Sequence, residues 1–517
     1  MTDSKGDYAN HHNDPDGDLW SGGPDKNLER TVIAIPLIDE MKEHAQDPKR
    51  EFDVIIDLNL TYQSGREEAR ERVKKILEEE MKIGGGRSRG SDNTPQYYFA
   101  RLTAAEIRAL AEADEHSQDG ERAIYKIWLD HPIKPLLTKS LQTVKADAAR
   151  VAFAAVGVGI TWAVVDSGIE GDHPHFRKHR NLELPKPSAT DVKKAYLKHQ
   201  DFTGGSETTE VDHPKDGFGH GTHVAGIIAG EIDSSAPDTD GSAPVKAVVR
   251  ELDVNQEVVT RTFEVDRISG VAPQCKLLSL KVLDDEGQGS VSNIIEALGY
   301  VQTVNEHGRW LHVQGVNLSV GYDYKAEWFA CGQSPLCVEV DRLVRSGVVV
   351  VVAAGNTGYG FAQSQEKGAV PAGLGLTIND PGNAELAITV GSTHREKPHI
   401  YGVSYFSSKG PTGDGRCKPD LVAPGEKVIS CAAGRSQERL SDKLEGDDFH
   451  YVESSGTSMA APHVSGAVAA FLSIRREFEG HPQRIKEIFL DTATDLGRER
   501  YFQGHGLVDL MRAVQSV

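Results

Sequence analysis

Five runs of apolar, largely β-branched residues lie between positions 159 and 393: GITWAVVDSG, CKLLSLKVLD, VQGVNLSVG, GVVVVVAAGN and ELAITVGST. None alternates between apolar and polar side chains. A strand with one wet face must alternate, because successive side chains point to opposite sides. A run that is apolar throughout has to be covered on both faces, as in a parallel sheet flanked by helices. Segments of helical periodicity fall between the runs, at 291–306 and 338–346 among others. The order predicts an α/β domain of three layers with a mainly parallel central sheet.

The first 150 residues follow another pattern. Residues 52–61 alternate like a strand, and 66–81 place Ala69, Val73, Ile76 and Leu77 on one helical stripe. KIGGGRSRGSDNTPQ reads as a loop, and 97–102 as a second strand. Thr103 and Glu106 have the spacing of a capping box for a helix over 104–113, and 123–129 reads as a further strand. This predicts a small α+β domain over 51–140, followed by the α/β domain over 141–517. Residues 1–50 are polar and acidic and read as a disordered lead.

Net charge is −20, from 57 basic and 77 acidic side chains. That balance speaks against a nucleic-acid binder, which needs a basic face. The longest apolar stretch noticed, 151–165, is too short to cross a bilayer and reads as a loop and strand, so no membrane partner is expected. The opening MTDSKGDYANHHNDPDGDLW lacks the basic start and apolar run of a secretory leader, which predicts a cytoplasmic protein. The five cysteines, Cys275, Cys331, Cys337, Cys417 and Cys431, are too few and odd in number for a disulfide framework. Cys331 and Cys337 are spaced to bridge, or to stay as reduced thiols.

Four polar residues stand where a core has no use for them. Asp166 ends the first run and Asn356 the fourth, and functional groups in open α/β sheets gather at the carboxyl ends of strands. Either could merely form a turn. His220, in GHGTHVAGIIAG, sits at a helix start. With His223, His173 and His175 nearby it could instead belong to a metal site, although no glutamate stands among them as a base. Ser458, in SSGTSMAAPHVSGAVAAFL, opens an apolar helix, where a serine is a cap or a nucleophile favoured by the helix dipole.

Taken together, AVVDSGI, HGTHVAG, AAGN and GTSMAAPHVSG occur in the order Asp, His, Asn, Ser, and with GVAP, KPDLVAPG and GHGLVDLMRAV they resemble the subtilases over residues 155–515. The resemblance implies a subtilisin-like serine endopeptidase acting on protein or peptide substrates. Asp166, His220 and Ser458 would be its triad, and Asn356 an oxyanion donor. It implies substrate added as a strand beside Gly287, Gln288, Gly289 and Ser290 on one side and Ser319, Val320 and Gly321 on the other. Ala353, Ala354 and Gly355 would help wall the pocket for the residue before the cut; small apolar walls imply an apolar or broad preference. The N-terminal domain resembles the family's propeptide, an intramolecular inhibitor, with self-cleavage near residues 136–141; a permanently attached accessory domain is the alternative. No cofactor is required for the chemistry. The resemblance leaves a structural calcium open, although its familiar carboxylate is replaced by His175; the long acidic segment at 230–269 reads as a solvated loop, with a site for a different ion as the alternative. A peptide-binding pseudo-protease and a metal-dependent hydrolase are the competing readings.

Overall fold

The computed structural model describes residues 32–83, 87–90, 94–115, 122–130, 139–185, 197–204, 209–233, 245–252, 258–325, 331–364, 368–441 and 449–517. The chain divides into two compact units, Met1–Pro135 and Leu136–Val517.

In the first unit, α1 (Ile35–Glu43), β1 (Glu51–Leu58), α2 (Arg66–Lys75), β2 (Ser88–Gly90), β3 (Tyr97–Thr103), α3 (Ala104–Glu115) and β4 (Ile124–Leu129) follow in order. The strands form an antiparallel sheet ordered β2-β3-β1-β4. Buried residues of β1 alternate, Phe52, Val54, Ile56 and Leu58, and pack with Ala69, Val73, Ile107 and Leu110 of the helices. The capping box forms as its spacing predicts: Glu106 Oε2 accepts from the Thr103 N–H at 2.7 Å, and Thr103 Oγ1 accepts from the Glu106 N–H at 3.3 Å.

Two expectations are corrected here. The lead over 1–50 is not disordered throughout, because Val32, Ile33, Leu37 and Met41 are buried in this core through α1. Their four-residue spacing is sparse and set among acidic side chains, so it is hard to see in the sequence. The loop after α2 contains β2, whose Ser88 pairs with Ala100. Three edge residues are too few to show a period.

The second unit is built on β5 (Thr161–Asp166), β6 (His199–Asp201), β7 (Thr209–Val211), α4 (His220–Ile228), β8 (Lys276–Lys281), α5 (Val291–Val304), β9 (Gly315–Leu318), α6 (Pro335–Arg345), β10 (Val349–Ala353), β11 (Ile388–His394), β12 (Leu421–Glu426) and α7 (Thr457–Ile474). Its eight-stranded sheet has the order β12-β11-β10-β9-β5-β8-β6-β7. All neighbours are parallel except β6 and β7. Alternate residues of one strand enter different cores. Trp162 and Val164 pack with Val224 of α4 and Val464 of α7, whereas Ala163 and Val165 pack with Leu298 of α5 and Val340 of α6. This two-sided burial is the physical cause of the unalternated runs. Each buried Val or Leu contributes about 1.5–3 kcal/mol.

The helix α7 is apolar enough in length and composition to cross a membrane, yet 83% of it is buried inside this unit. An all-round apolar helix of this kind is a core helix. The expectation of a solvated loop over 230–269 is also corrected. Lys246–Leu252 and Val258–Glu264 pair antiparallel, and the first of them continues a sheet with Tyr451–Ser454 and Val428–Cys431. Residues 234–244, with Asp238 and Asp240, and residues 253–257 lie outside the described residues.

Candidate active site

Register explains how distant residues meet. Leu318 of β9 stands beside Val165 of β5 and also beside Val352 of β10. The next residues, Asp166, Ser319 and Ala353, therefore stand side by side at the carboxyl end of the sheet. On the other side of β5, Lys281 of β8 pairs with Asp166, and the chain then turns into the loop carrying Gly287–Ser290.

His220 is delivered to this edge by the start of α4. Gly219 just before it has φ +96°, and a Cβ there would collide with the Ala433 carbonyl. A side-chain-bearing residue cannot make this turn. His220 Nδ1 meets Asp166 Oδ1 at 2.7 Å. Asp166 is fully buried, and the same oxygen accepts from the Ser167 N–H at 2.8 Å. Burial pulls the His220 pKa down, but the charge and hydrogen bond of Asp166 outweigh it and hold the imidazole above its ordinary 6.5.

The turn is clamped by Asp216. Its Oδ1 accepts from Ser167 Oγ at 2.8 Å and from the Gly219 N–H at 2.7 Å. Its Oδ2 accepts from the Thr222 N–H at 2.8 Å and from Thr222 Oγ1 at 2.6 Å. Ser167 Oγ in turn accepts from the Gly221 N–H at 2.9 Å. Burial pushes the Asp216 carboxyl above its usual range against the pull of these four bonds. The sequence reading missed Asp216, Ser167 and Thr222. Their signal was an aspartate ahead of a Gly-rich turn, in DGFGHGT.

Ser458 stands in the first turn of α7, half-buried. Its Oγ donates to the Ser319 carbonyl at 3.0 Å rather than to His220, and Ser319 Oγ donates to the Ser458 carbonyl at 3.0 Å. Asn356 is fixed by Thr457: Asn356 Oδ1 accepts from the Thr457 N–H at 2.9 Å and from Thr457 Oγ1 at 3.1 Å. A side-chain amide whose oxygen is held this way turns its NH₂ outward. A Cβ built at Gly456 would lie 3.5 Å from Asn356 Nδ2 and 3.7 Å from the Ser458 nitrogen, so both donors adjoin one point.

The segments read as substrate-binding also lie at this edge. Gly287–Ser290 is held as a turn by the Gly287 N–H to the Asp284 carbonyl at 3.0 Å, with Gln288 and Gly289 exposed. Gly321 is exposed, Val320 and Gly355 are half-buried, and Ala354 is buried. The cleavage segment is different: residues 136–138 lie outside the described residues, and Lys139–Thr143 is a short helix.

The other histidines are committed elsewhere. His173 Nε2 bonds the His450 carbonyl at 2.9 Å, and its Nδ1 accepts from the His175 N–H at 3.2 Å. His175 uses Nδ1 on Tyr451 Oη at 3.0 Å and Nε2 on the Gly226 carbonyl at 3.2 Å. His223 Nε2 bonds the Val452 carbonyl at 3.1 Å. These bonds leave the cluster no shared point to bind a metal, and among the described residues no such group of ligands converges. Calcium wants oxygen ligands. A buried histidine with both nitrogens engaged does not fit the familiar calcium position. All five cysteines are free, with Cys331 and Cys337 both buried.

The subtilase family model matches residues 157–506. The chain is 34% identical over 340 residues to pyrolysin of Pyrococcus furiosus, covering 58% of this chain and 21% of pyrolysin. It is 30% identical over 384 residues to the serine protease AprX of Bacillus subtilis, covering 72% of this chain and 70% of AprX. Subtilisin E of the same organism is 25% identical over 433 residues, covering 83% and 84%. The chain thus spans about a fifth of pyrolysin but most of the other two.

Proposed function

Because the chain belongs to the subtilase family and is a serine-type endopeptidase, we infer that Asp166, His220 and Ser458 are its triad and Asn356 its side-chain oxyanion donor. The chemistry needs no cofactor. The observation that carries the reading is the 2.7 Å bond between His220 Nδ1 and buried Asp166, at the sheet edge where Ser458 Oγ is hydrogen-bonded to Ser319.

In this reading Asp166 fixes the tautomer with the proton on Nδ1, leaving Nε2 as the base. A substrate strand laid along Ser319–Gly321 offers an N–H to the Ser319 carbonyl. That displaces the Ser458 hydroxyl, which a rotation about χ1 passes to His220 Nε2. Ser458 Oγ then attacks the scissile carbonyl while His220 takes its proton. Asn356 Nδ2 and the Ser458 N–H receive the oxyanion. His220 returns the proton to the leaving amine, and water hydrolyses the acyl-enzyme by the same steps reversed. Gly287–Ser290 supports the other edge of the substrate.

The N-terminal unit acts as the chain's own inhibitor and is cut from it near residues 136–141. Its strand–helix–strand order and the TAAEIRALAEAD segment support that assignment. Mass spectrometry of purified wild type and Ser458→Ala after incubation is the test. Loss of the first 135–140 residues from the wild type alone is expected. Equal loss in both proteins refutes self-cleavage, and casein hydrolysis by Ser458→Ala refutes the triad.

A further inference from the structure

The resemblance implies two walls of the pocket that takes the residue before the cut, Leu318–Gly321 and Ala353–Gly355, without a floor between them. Residues 379–380 close that gap. The Asn379 N–H donates to the Ala354 carbonyl at 3.0 Å on one wall. On the other, Tyr322 and Asp380 exchange backbone hydrogen bonds of 2.9 and 3.0 Å. Both walls approach it closely: a Cβ at Gly355, whose φ is +106°, would lie 2.6 Å from Asn379 Cγ, and one at Gly321 would lie 2.4 Å from the Asp380 carbonyl oxygen. Only glycine lets the floor come up against the wall.

That floor is polar. Asn379 Oδ1 accepts from Thr357 Oγ1 at 3.0 Å, and Asn379 Nδ2 donates to Asp323 Oδ1 at 3.1 Å. The amide is therefore oriented and its hydrogen bonds lead to a carboxylate. Asp323 is exposed, and among the described residues no lysine or arginine forms an ion pair with it. An apolar side chain entering here would cover an anion and an amide and return no hydrogen bond to either. An ammonium or guanidinium would pair with the carboxylate. The net charge of −20 adds a weaker pull on basic segments at long range.

We propose that Asp323, presented at the floor by Asn379, selects arginine or lysine as the residue immediately before the scissile bond. The proposal rests on the triad reading, and it replaces the apolar preference implied by the walls alone. The test is to map by mass spectrometry the cuts that the full chain makes in unfolded casein, then to measure kcat/KM on two peptide anilides that differ only in Arg or Phe before the cut. Most cuts should follow Arg or Lys. Asp323→Asn should lower the Arg-to-Phe ratio of kcat/KM about tenfold, the scale of one hydrogen bond between charged groups. Because a ratio is read within one protein, a general loss of folded enzyme cancels. Cuts that mostly follow Phe, Leu or Met, or a ratio unchanged in Asp323→Asn, would overturn the proposal while leaving the protease intact. No cuts at all, or the same cuts by Ser458→Ala, would instead bring down the triad reading and this proposal with it.

Discussion

His220 and His175 belong to the same α/β unit, and their surroundings send them in opposite directions. His220 faces the buried carboxylate of Asp166, which lifts its pKa above 6.5. His175 faces a phenol and a carbonyl, and burial drives its pKa down to about 3. His173, His223 and His463 share that fate, each at about 4 because of burial. Burial by itself silences a histidine, since the charged form loses its hydration. A buried carboxylate turns the same residue into a base that can carry charge through a reaction. Position in the sequence does not separate the two kinds: His220 and His223 are one helical turn apart.

The largest effect that can break this contrast is on turnover. His220→Ala or Ser458→Ala should lower kcat on the order of 10⁶-fold, the scale of the subtilisin triad. The melting temperature should stay close to wild type, because neither side chain fills the core. His175→Ala should do the reverse: it leaves a cavity and an unpartnered Tyr451 hydroxyl, costing about 2–5 kcal/mol of stability. Its folded fraction should turn over normally. Finding the triad variants strongly destabilised, or His175→Ala inactive though folded, would erase the distinction.

Next in size is the oxyanion site. Asn356→Ala should reduce kcat by about 10²–10³ with little change in KM, since a donor in the proposed role acts on charge that exists only in the transition state. A raised KM with kcat unchanged would place Asn356 in substrate binding instead.

Much of this was legible before any coordinates, and for a physical reason. The five central strands had to be apolar on both faces, so their period announced the sheet, and the parallel register then forced Asp166, Ser319 and Ala353 to one edge. The helix at 104–115 was legible through Thr103 and Glu106, whose side chains fix its start locally. What escaped depends on contacts made far along the chain. Val258–Glu264 has no buried residue, and the buried run Ala247–Val249 of its partner strand is only three residues long and flanked by Lys246 and Arg250, so neither shows a clear period. Asp216 looked like one acid among many, because its four donors come from a folded turn. The place of Asn379, proposed above as a pocket floor, was invisible, since backbone bonds to Ala354 and, through Asp380, to Tyr322 carry it there from far along the chain.

The two kinds of histidine should also respond to pH with opposite sign. His220 has a raised pKa in the folded chain, so its ion pair stabilises fully below pH 6.5 and fades as pH rises through the folded value. His173, His175, His223 and His463 have lowered values. Their neutral forms cost nothing above pH 6.5, and stability is lost as pH falls from 6.5 toward the folded values of about 3–4. With 1.36 kcal/mol for each unit of displacement, each can withdraw up to about 3 kcal/mol near pH 4. Denaturant unfolding at pH 7, 5.5 and 4.5 should therefore show a steep acid decline, less steep in His175→Phe relative to its own value at pH 7. An unchanged slope in that variant would show that carboxylates, not this buried layer, set the acid limit.

The smallest effect isolates Asp216, which touches neither substrate nor the reacting atoms and acts by positioning His220. All four of its partners are donors. In Asp216→Asn the amide has the carboxylate's shape, but whichever way it is turned its NH₂ faces donors, so two of the four bonds are lost. The turn before His220 loosens, and kcat should fall about tenfold, with KM little changed. A second readout separates this from a merely structural fault. The Asp216 charge is one of the influences that raise the His220 pKa, so its removal lowers that pKa. The base must be neutral to act, and the acid limb of the kcat/KM profile should move to lower pH. A lower melting temperature with an unmoved limb would reduce Asp216 to a structural clamp. A moved limb would show that the difference between His220 and its silent neighbours is set by two carboxylates, one in contact and one behind the turn.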